Sequence, residues 1–136
     1  MNRATSPHAL GISRQSFGIL PKIREVDELI TPGLQDRIRE VHPELVFCEL
    51  NDAKPLVERK KSREGRNLRT RLLQRAWECD VSELVESERN SKVARDDIID
   101  AMAACWTAER VLKGRDVRLP REPERDSRGL LMEIVR

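Results

Sequence analysis

The segment 95–113 constrains the fold more than any other part of the sequence, because its helical pattern is apolar on almost every side. Its apolar residues are Ile98, Ile99, Ala101, Met102, Ala103, Ala104, Cys105, Trp106, Ala108 and Val111. A helix of this kind is stable only where neighbouring elements cover most of its surface. We therefore expect it to be buried on most sides, against a sheet and other helices, and to end at Gly114.

Other segments show weaker but clear periodicity. Apolar residues spaced by three and four positions predict helices at 13–30 and 65–79, and they permit a short helix at 81–88. Pro21 either kinks the first of these helices or lies in its first turn.

Alternating apolar and polar residues predict a short strand at 38–42 and a final short strand within 129–135. Residues 43–50 fit either a helix that opens at Pro43 or a continuation of the strand. The segment 51–64 is typical of a charged loop. Together these elements indicate a helix-rich α/β protein.

Composition limits the size, the environment and the partners of the chain. Its 136 residues suffice for one domain, and no stretch approaches the roughly 18 consecutive apolar residues of a membrane helix. Segment 1–12 has no periodicity and is expected to be a flexible lead without a secretion signal. Three widely spaced cysteines form no zinc-binding pattern, and their odd number is typical of a reducing cytoplasm. A net charge of +2 does not by itself require a nucleic-acid partner.

Three aspartates open the apolar helix. The positions of Asp96 and Asp97 have a structural explanation if one of them caps the helix and the other is stabilised by the positive end of the helix dipole. Asp100 lies one turn further inside, on the face of Asp96. A carboxylate among Ala, Met and Ile side chains needs a cation beside it. That cation is either an arginine or a divalent metal, and hard oxygen ligands suit Mg²⁺ or Mn²⁺.

A second set of polar residues occupies 40–44 (EVHPE). In a strand at 38–42, Glu40 and His42 point to one face at its carboxyl end, where α/β proteins place their sites. The alternative is an edge strand with solvated charges, in which His42 is a structural hydrogen-bonding residue.

A run of basic residues follows: Arg59, Lys60, Lys61, Arg63, Arg66, Arg69, Arg71 and Arg75. Such a run is either a solvated helix face or a phosphate-binding stripe. Arg69 is distinctive because it falls within the apolar arc of its helix, next to Leu72 and Leu73. A half-buried arginine requires a carboxylate or a phosphate as its partner.

Several stretches together resemble a known family. They are 11–19 (GISRQSFGI), 20–27 (LPKIREVD), 40–44 (EVHPE), 60–61 (KK), Gly65, 69–73 (RTRLL), 96–101 (DDIIDA), 106–108 (WTA), 119–120 (LP) and 126–134 (DSRGLLMEI). Taken jointly, they resemble the predicted-nuclease family with a ribonuclease H-like fold (domain of unknown function 429), over about residues 11–134.

The resemblance implies a metal-dependent hydrolysis of phosphodiesters. Acidic residues from separate elements would hold one or two Mg²⁺ or Mn²⁺ ions. By this resemblance Glu40 is the strand carboxylate, and Asp97 and Asp100 are the pair on the last helix. Lys60, Lys61 and Arg69 are expected to bind substrate phosphates.

The same resemblance implies that part of the fold lies elsewhere. Family members carry an N-terminal β-hairpin whose strand supplies a first catalytic aspartate, and 1–10 contains no counterpart. The expectation is therefore that 13–136 forms the C-terminal portion of a ribonuclease H-like domain, inactive alone. A homo-oligomer or a partner chain is then expected to cover the exposed core.

Two hypotheses about function follow. The enzyme hypothesis requires the carboxylates of Glu40 and Asp100 to share one ion. The alternative is a non-catalytic helical module that binds nucleic acid or a protein partner. In that case the two carboxylates are apart and Asp100 is satisfied by an arginine.

Overall fold

The fold is described from a computed structural model, for residues 12–77, 80–87 and 93–136. Its elements are α1 (Arg14–Leu29), α2 (Pro43–Leu50), α3 (Arg63–Trp77), α4 (Val81–Ser87), α5 (Arg95–Leu112), β1 (Arg118–Leu119) and β2 (Ile134–Val135). Within the described residues, no helix is both long and apolar enough to span a bilayer. Apart from Ile12, the lead expected at 1–12 lies outside these ranges.

The hydrophobic core lies where α2, α3, α4 and α5 pack against one another. Phe47, Leu73, Val81 and Ile99 are each at most 1% exposed, one from each helix. Burial of these side chains is the main contribution to stability, at about 1.5–3 kcal/mol for each large apolar group. The helix predicted at 65–79 is confirmed over its described part. The acidic segment 80–92 favours a loop with a short helix possible at 81–88, and the structure has that helix as α4.

Helix α5 has nearly the predicted bounds, but its burial differs from the prediction. Its buried residues lie on one face: Ile99, Met102, Ala103 and Thr107. Ala101, Cys105 and Ala108 are exposed. The expectation of burial on most sides is wrong, because α2, α3 and α4 cover one side of the helix only. Small side chains such as Ala tolerate exposure, so an apolar pattern made largely of alanine does not imply cover.

A small sheet joins the two ends of the C-terminal segment. β1 and β2 are antiparallel, with Arg118 opposite Val135 and Leu119 opposite Ile134. β2 confirms the final strand predicted within 129–135, whereas β1 had no alternating pattern from which to predict it. The helices and this sheet confirm the helix-rich α/β class.

The strand predicted at 38–42 is not formed. Val41 alone makes a parallel bridge to Val135. The N–H of Ile38 is taken by the carbonyl of Leu34 at 2.8 Å in the preceding turn. On the other side Pro43 already opens α2, so too few residues remain for a ladder.

The open choice for 43–50 is resolved in favour of a helix. His42 is the N-cap of α2 and has extended backbone angles. Pro43 is the first residue of the helix, and Glu44 lies in its first turn. Proline suits this place because the first N–H groups of a helix have no intrahelical partner. A carboxylate near the N-terminus is also favoured by the helix dipole.

Helix α1 extends from the rest of the chain as an arm. Ser13 caps it by accepting a hydrogen bond from the N–H of Ser16 at 3.0 Å, and the helix runs through Pro21 without ending. Its described side chains are all exposed. Arg128 ties its end to the C-terminal segment, through Asp27 at 2.8 Å and the Ile30 carbonyl at 3.0 Å.

Candidate functional site

The candidate site is a group of charged side chains around Lys60, here called the Lys60 cluster: Lys60, Asp100, Asp96 and Glu44. Lys60 Nζ donates to Asp100 Oδ2 at 3.1 Å. This hydrogen bond is the main cause that raises the pKa of Lys60. Partial burial opposes the rise, and the charges of Asp100, Asp96 and Glu44 add to it. Three carboxylates therefore act on one ammonium cation.

The N-terminal turns of two helices position these carboxylates. Asp96 and Asp100 are four residues apart on α5, so they share a face, and Glu44 is in the first turn of α2. Both helices direct their positive ends to this region, which stabilises negative charge there. Helix α5 begins at the N-cap Ala94, which makes no side-chain cap. The expectation that Asp96 or Asp97 caps the helix is therefore wrong.

Arg69 fastens α3 to α2 inside the protein. Its side chain is 3% exposed. Nε and Nη2 donate to the two carboxylate oxygens of Glu44 at 3.1 and 2.7 Å, and Nη1 donates to the carbonyls of Glu58 and Gly65 at 3.1 and 3.0 Å. The guanidinium also lies 5.5 Å from the centre of the Phe47 ring. Of the two partners that the sequence allowed, the structure shows the carboxylate.

Gly65 permits the loop before α3 to lie against the helix. A Cβ at this position would collide with the carbonyl oxygen of Arg59. The Ser62 hydroxyl accepts the N–H of Gly65 at 2.9 Å and donates to the same Arg59 carbonyl at 2.9 Å. These contacts hold the turn that carries Lys60 against the helix ends.

Glu40 and Asp97 lie outside the Lys60 cluster. Glu40 is exposed and lines a groove of about 900 Å³ between α1 and the C-terminal segment. Asp97 is exposed on α5, whereas its neighbour Asp96 acts on Lys60 together with Asp100. Sequence reasoning selected Asp97 and missed Glu44, although the four-residue spacing of Asp96 and Asp100 was visible.

The expected metal ligands do not assemble into a metal site. In the part of the chain that the structure describes, no three His, Cys, Asp or Glu residues come together in a group that could hold a metal ion. Glu40, Asp97 and Asp100 therefore do not form a shared set. Asp100 is instead paired with Lys60. The cation beside it is therefore neither the arginine nor the metal ion expected from the sequence, but a lysine.

The basic residues divide into two kinds. Lys60 and Arg69 are held by Asp100 and Glu44 within the chain. Lys61 and Arg59 are exposed and make no ion pair within the described residues. Of the three predicted phosphate-binding residues, Lys61 is thus the one whose charge is uncompensated by a neighbour.

The substitution Arg69→Lys tests the anchoring role of the guanidinium. Lysine keeps the positive charge but cannot bridge both oxygens of Glu44 and two carbonyls at once. We expect the free energy of unfolding to fall by about 1–3 kcal/mol, measured by urea denaturation. Arg71→Lys, at an exposed position of the same helix, is the matched control and should stay within about 0.5 kcal/mol of the wild type. Equal effects of the two substitutions would contradict the anchoring role.

The raised pKa of Lys60 predicts a dependence on alkaline pH. The contribution of its ammonium to stability is complete below the unfolded-state pKa of 10.5 and is lost as the pH rises through the higher folded-state value. Near neutral pH the free energy of unfolding of the wild type should exceed that of Lys60→Met by about 0.2–1 kcal/mol. This difference in stability should vanish above the folded-state pKa of Lys60. Lys61→Met is the control for general lysine titration. A difference between wild type and Lys60→Met that persists at the highest pH would count against the ion pair.

The comparisons with known proteins give one result. The profile of the family described as "Protein of unknown function (DUF429)" matches residues 1–125. Searches of curated proteins and of solved structures found no match. Because the matched part covers most of the 136 residues, the chain belongs to the DUF429 family of proteins of unknown function.

Proposed function

We propose that this protein binds the phosphate backbone of nucleic acid through the α3 basic surface, defined as Arg59, Lys61, Arg63 and Arg66. The observation that carries the proposal is the exposure of Arg59, Lys61 and Arg63 in and next to the first turn of α3. There they combine with the positive end of the helix dipole, a combination that attracts phosphate.

The charge of this surface is concentrated and weakly compensated. Residues 58–66 hold five basic and two acidic residues, an excess larger than the net charge of +2 of the whole chain. Arg63 has an ion pair with Glu64 at 3.7 Å, but both side chains are more than two-thirds exposed. Exposed pairs of this kind contribute little and exchange readily for a phosphate.

The Lys60 cluster and Arg69 hold the loop that carries this surface in place. Arg69 holds the Glu58 carbonyl, and Lys60 holds Asp100, so the loop that carries Arg59 and Lys61 has a defined position. A preorganised loop loses less conformational entropy when it binds. The chain has two Phe, two Trp and no Tyr, which favours contacts to phosphates over stacking on bases.

A second candidate function is Mg²⁺- or Mn²⁺-dependent hydrolysis of phosphodiesters, the activity that the ribonuclease H-like resemblance implies. The observation in its favour is that Asp100 already binds one cation, the ammonium of Lys60, on which the charges of Asp96 and Glu44 also act. As arranged, the described residues do not fit a metal ion. Metal binding at Asp100 therefore requires Lys60 to leave, and Glu40 and Asp97 to approach from elsewhere.

Reversal of one exposed charge tests the binding proposal. Lys61→Glu should weaken binding to a short labelled duplex and reduce the slope of log K against log salt by about 0.9 or more, the value for one lost phosphate contact. Fluorescence anisotropy over a salt series gives both quantities. Arg121→Glu changes the net charge equally at an exposed position outside the α3 basic surface, and should leave the slope unchanged. Equal loss in both variants would contradict a localised surface.

Removal of the resident ammonium tests the second candidate. If the carboxylates can hold a metal, Lys60→Met should bind Mn²⁺ roughly tenfold more tightly than the wild type, or about 1.4 kcal/mol, as measured by calorimetry. Asp100→Asn combined with Lys60→Met should abolish that binding. A folded Lys60→Met variant that binds no Mn²⁺ would exclude metal-dependent hydrolysis for this chain and would leave the binding proposal untouched.

A further inference from the structure

Helix α1 presents a row of apolar side chains that nothing in the described residues covers. The row, here called the α1 stripe, consists of Ile19, Ile23 and Val26 on the helix and of Ile30, the residue at its C-cap. The spacing of four and three residues within the helix is that of a coiled-coil seam. Ile19, Ile23 and Val26 are 49%, 51% and 57% exposed. We propose that the α1 stripe is a dimerisation surface that pairs in parallel with α1 of a second copy of this chain.

The groove beside α1 has apolar side chains on both of its walls. The α1 stripe forms one wall of this space of about 900 Å³. Ile38, Leu130, Met132 and Ile134 contribute apolar side chains to the opposite wall. A helix entering the groove would therefore meet apolar surface on two sides.

Five large apolar side chains that line the groove are each about half exposed: Ile19, Ile23, Val26, Ile38 and Met132, at 49–57%. Exposed apolar side chains gathered around one groove are typical of a surface that binds another protein. A second copy of the chain can cover them.

The charges that flank the stripe favour a second copy in parallel. Lys22 and Asp27 lie on opposite flanks of the stripe, and both line the groove. Five residues apart, they occupy the g and e positions that face each other between two parallel helices. Lys22 of each chain then lies beside the partner's Asp27, which gives two ion pairs of opposite charge. Asp27 is 60% exposed beside Arg128, so its carboxylate can still accept the second cation.

Sedimentation equilibrium of the full chain tests the proposal. The wild type should be a dimer, and Ile23→Asp should weaken self-association by at least about tenfold because it places a carboxylate in the seam. Ile23 is half exposed, so the substitution leaves the core intact, which circular dichroism verifies. Leu112→Asp, at an 88% exposed position at the end of α5, is the matched control and should remain dimeric. A monomeric wild type, or an Ile23→Asp variant that self-associates as tightly as the wild type, would overturn the proposal.

A mixing experiment tests the partner contacts and their direction. Lys22→Asp and Asp27→Lys each place like charges opposite one another in a homodimer, so each alone should associate less than the wild type. Mixed in equal amounts, they should form a heterodimer in which both ion pairs are restored, one in the original sense and one reversed. Absence of a preferred heterodimer would overturn the parallel arrangement. Because neither experiment uses nucleic acid, the outcomes are independent of the proposed function.

Discussion

The buried guanidinium of Arg69 is the interaction on which the rest of the described structure depends. Burying a charge is costly unless a counter-charge and hydrogen bonds replace the lost water. Here Glu44 supplies the charge, and two backbone carbonyls supply the remaining acceptors. One side chain of α3 thus sets the position of α2 and of the loop that ends at Ser62, and the Phe47 ring below it continues directly into the core.

That arrangement decides which basic residues face solvent. All side chains of the basic run carry the same positive charge. Arg69 and Lys60, however, form ion pairs with carboxylates on α2 and α5. Because these two ion pairs hold the loop against the helices, Arg59 and Lys61 remain exposed to solvent. The distinction rests on burial and partners, since nothing in the charge pattern separates Lys60 from Lys61.

Local features were predictable from the sequence, and non-local ones were not. The helices follow from periodicity, and Arg69 was recognisable because a charge interrupts an apolar arc. The partner of Asp100 is Lys60, forty residues earlier, and no pattern indicates a pair at that separation. The strand at 38–42 failed for a related reason, since alternation describes a preference whereas a ladder needs a neighbour along its whole length.

Helix α1 is amphipathic like the core helices, but its apolar stripe is exposed. The core formed by α2 to α5 buries at least one large apolar residue of each helix, and ion pairs such as Arg69–Glu44 join its helices. Helix α1 has the same kind of amphipathic pattern, yet the described chain offers it only an open groove and a tether at Arg128. Isolated helices of about this length are marginal in water. The proposed dimer gives this amphipathic helix a surface against which it is stabilised, and its g and e charges complement those of a second α1 in parallel.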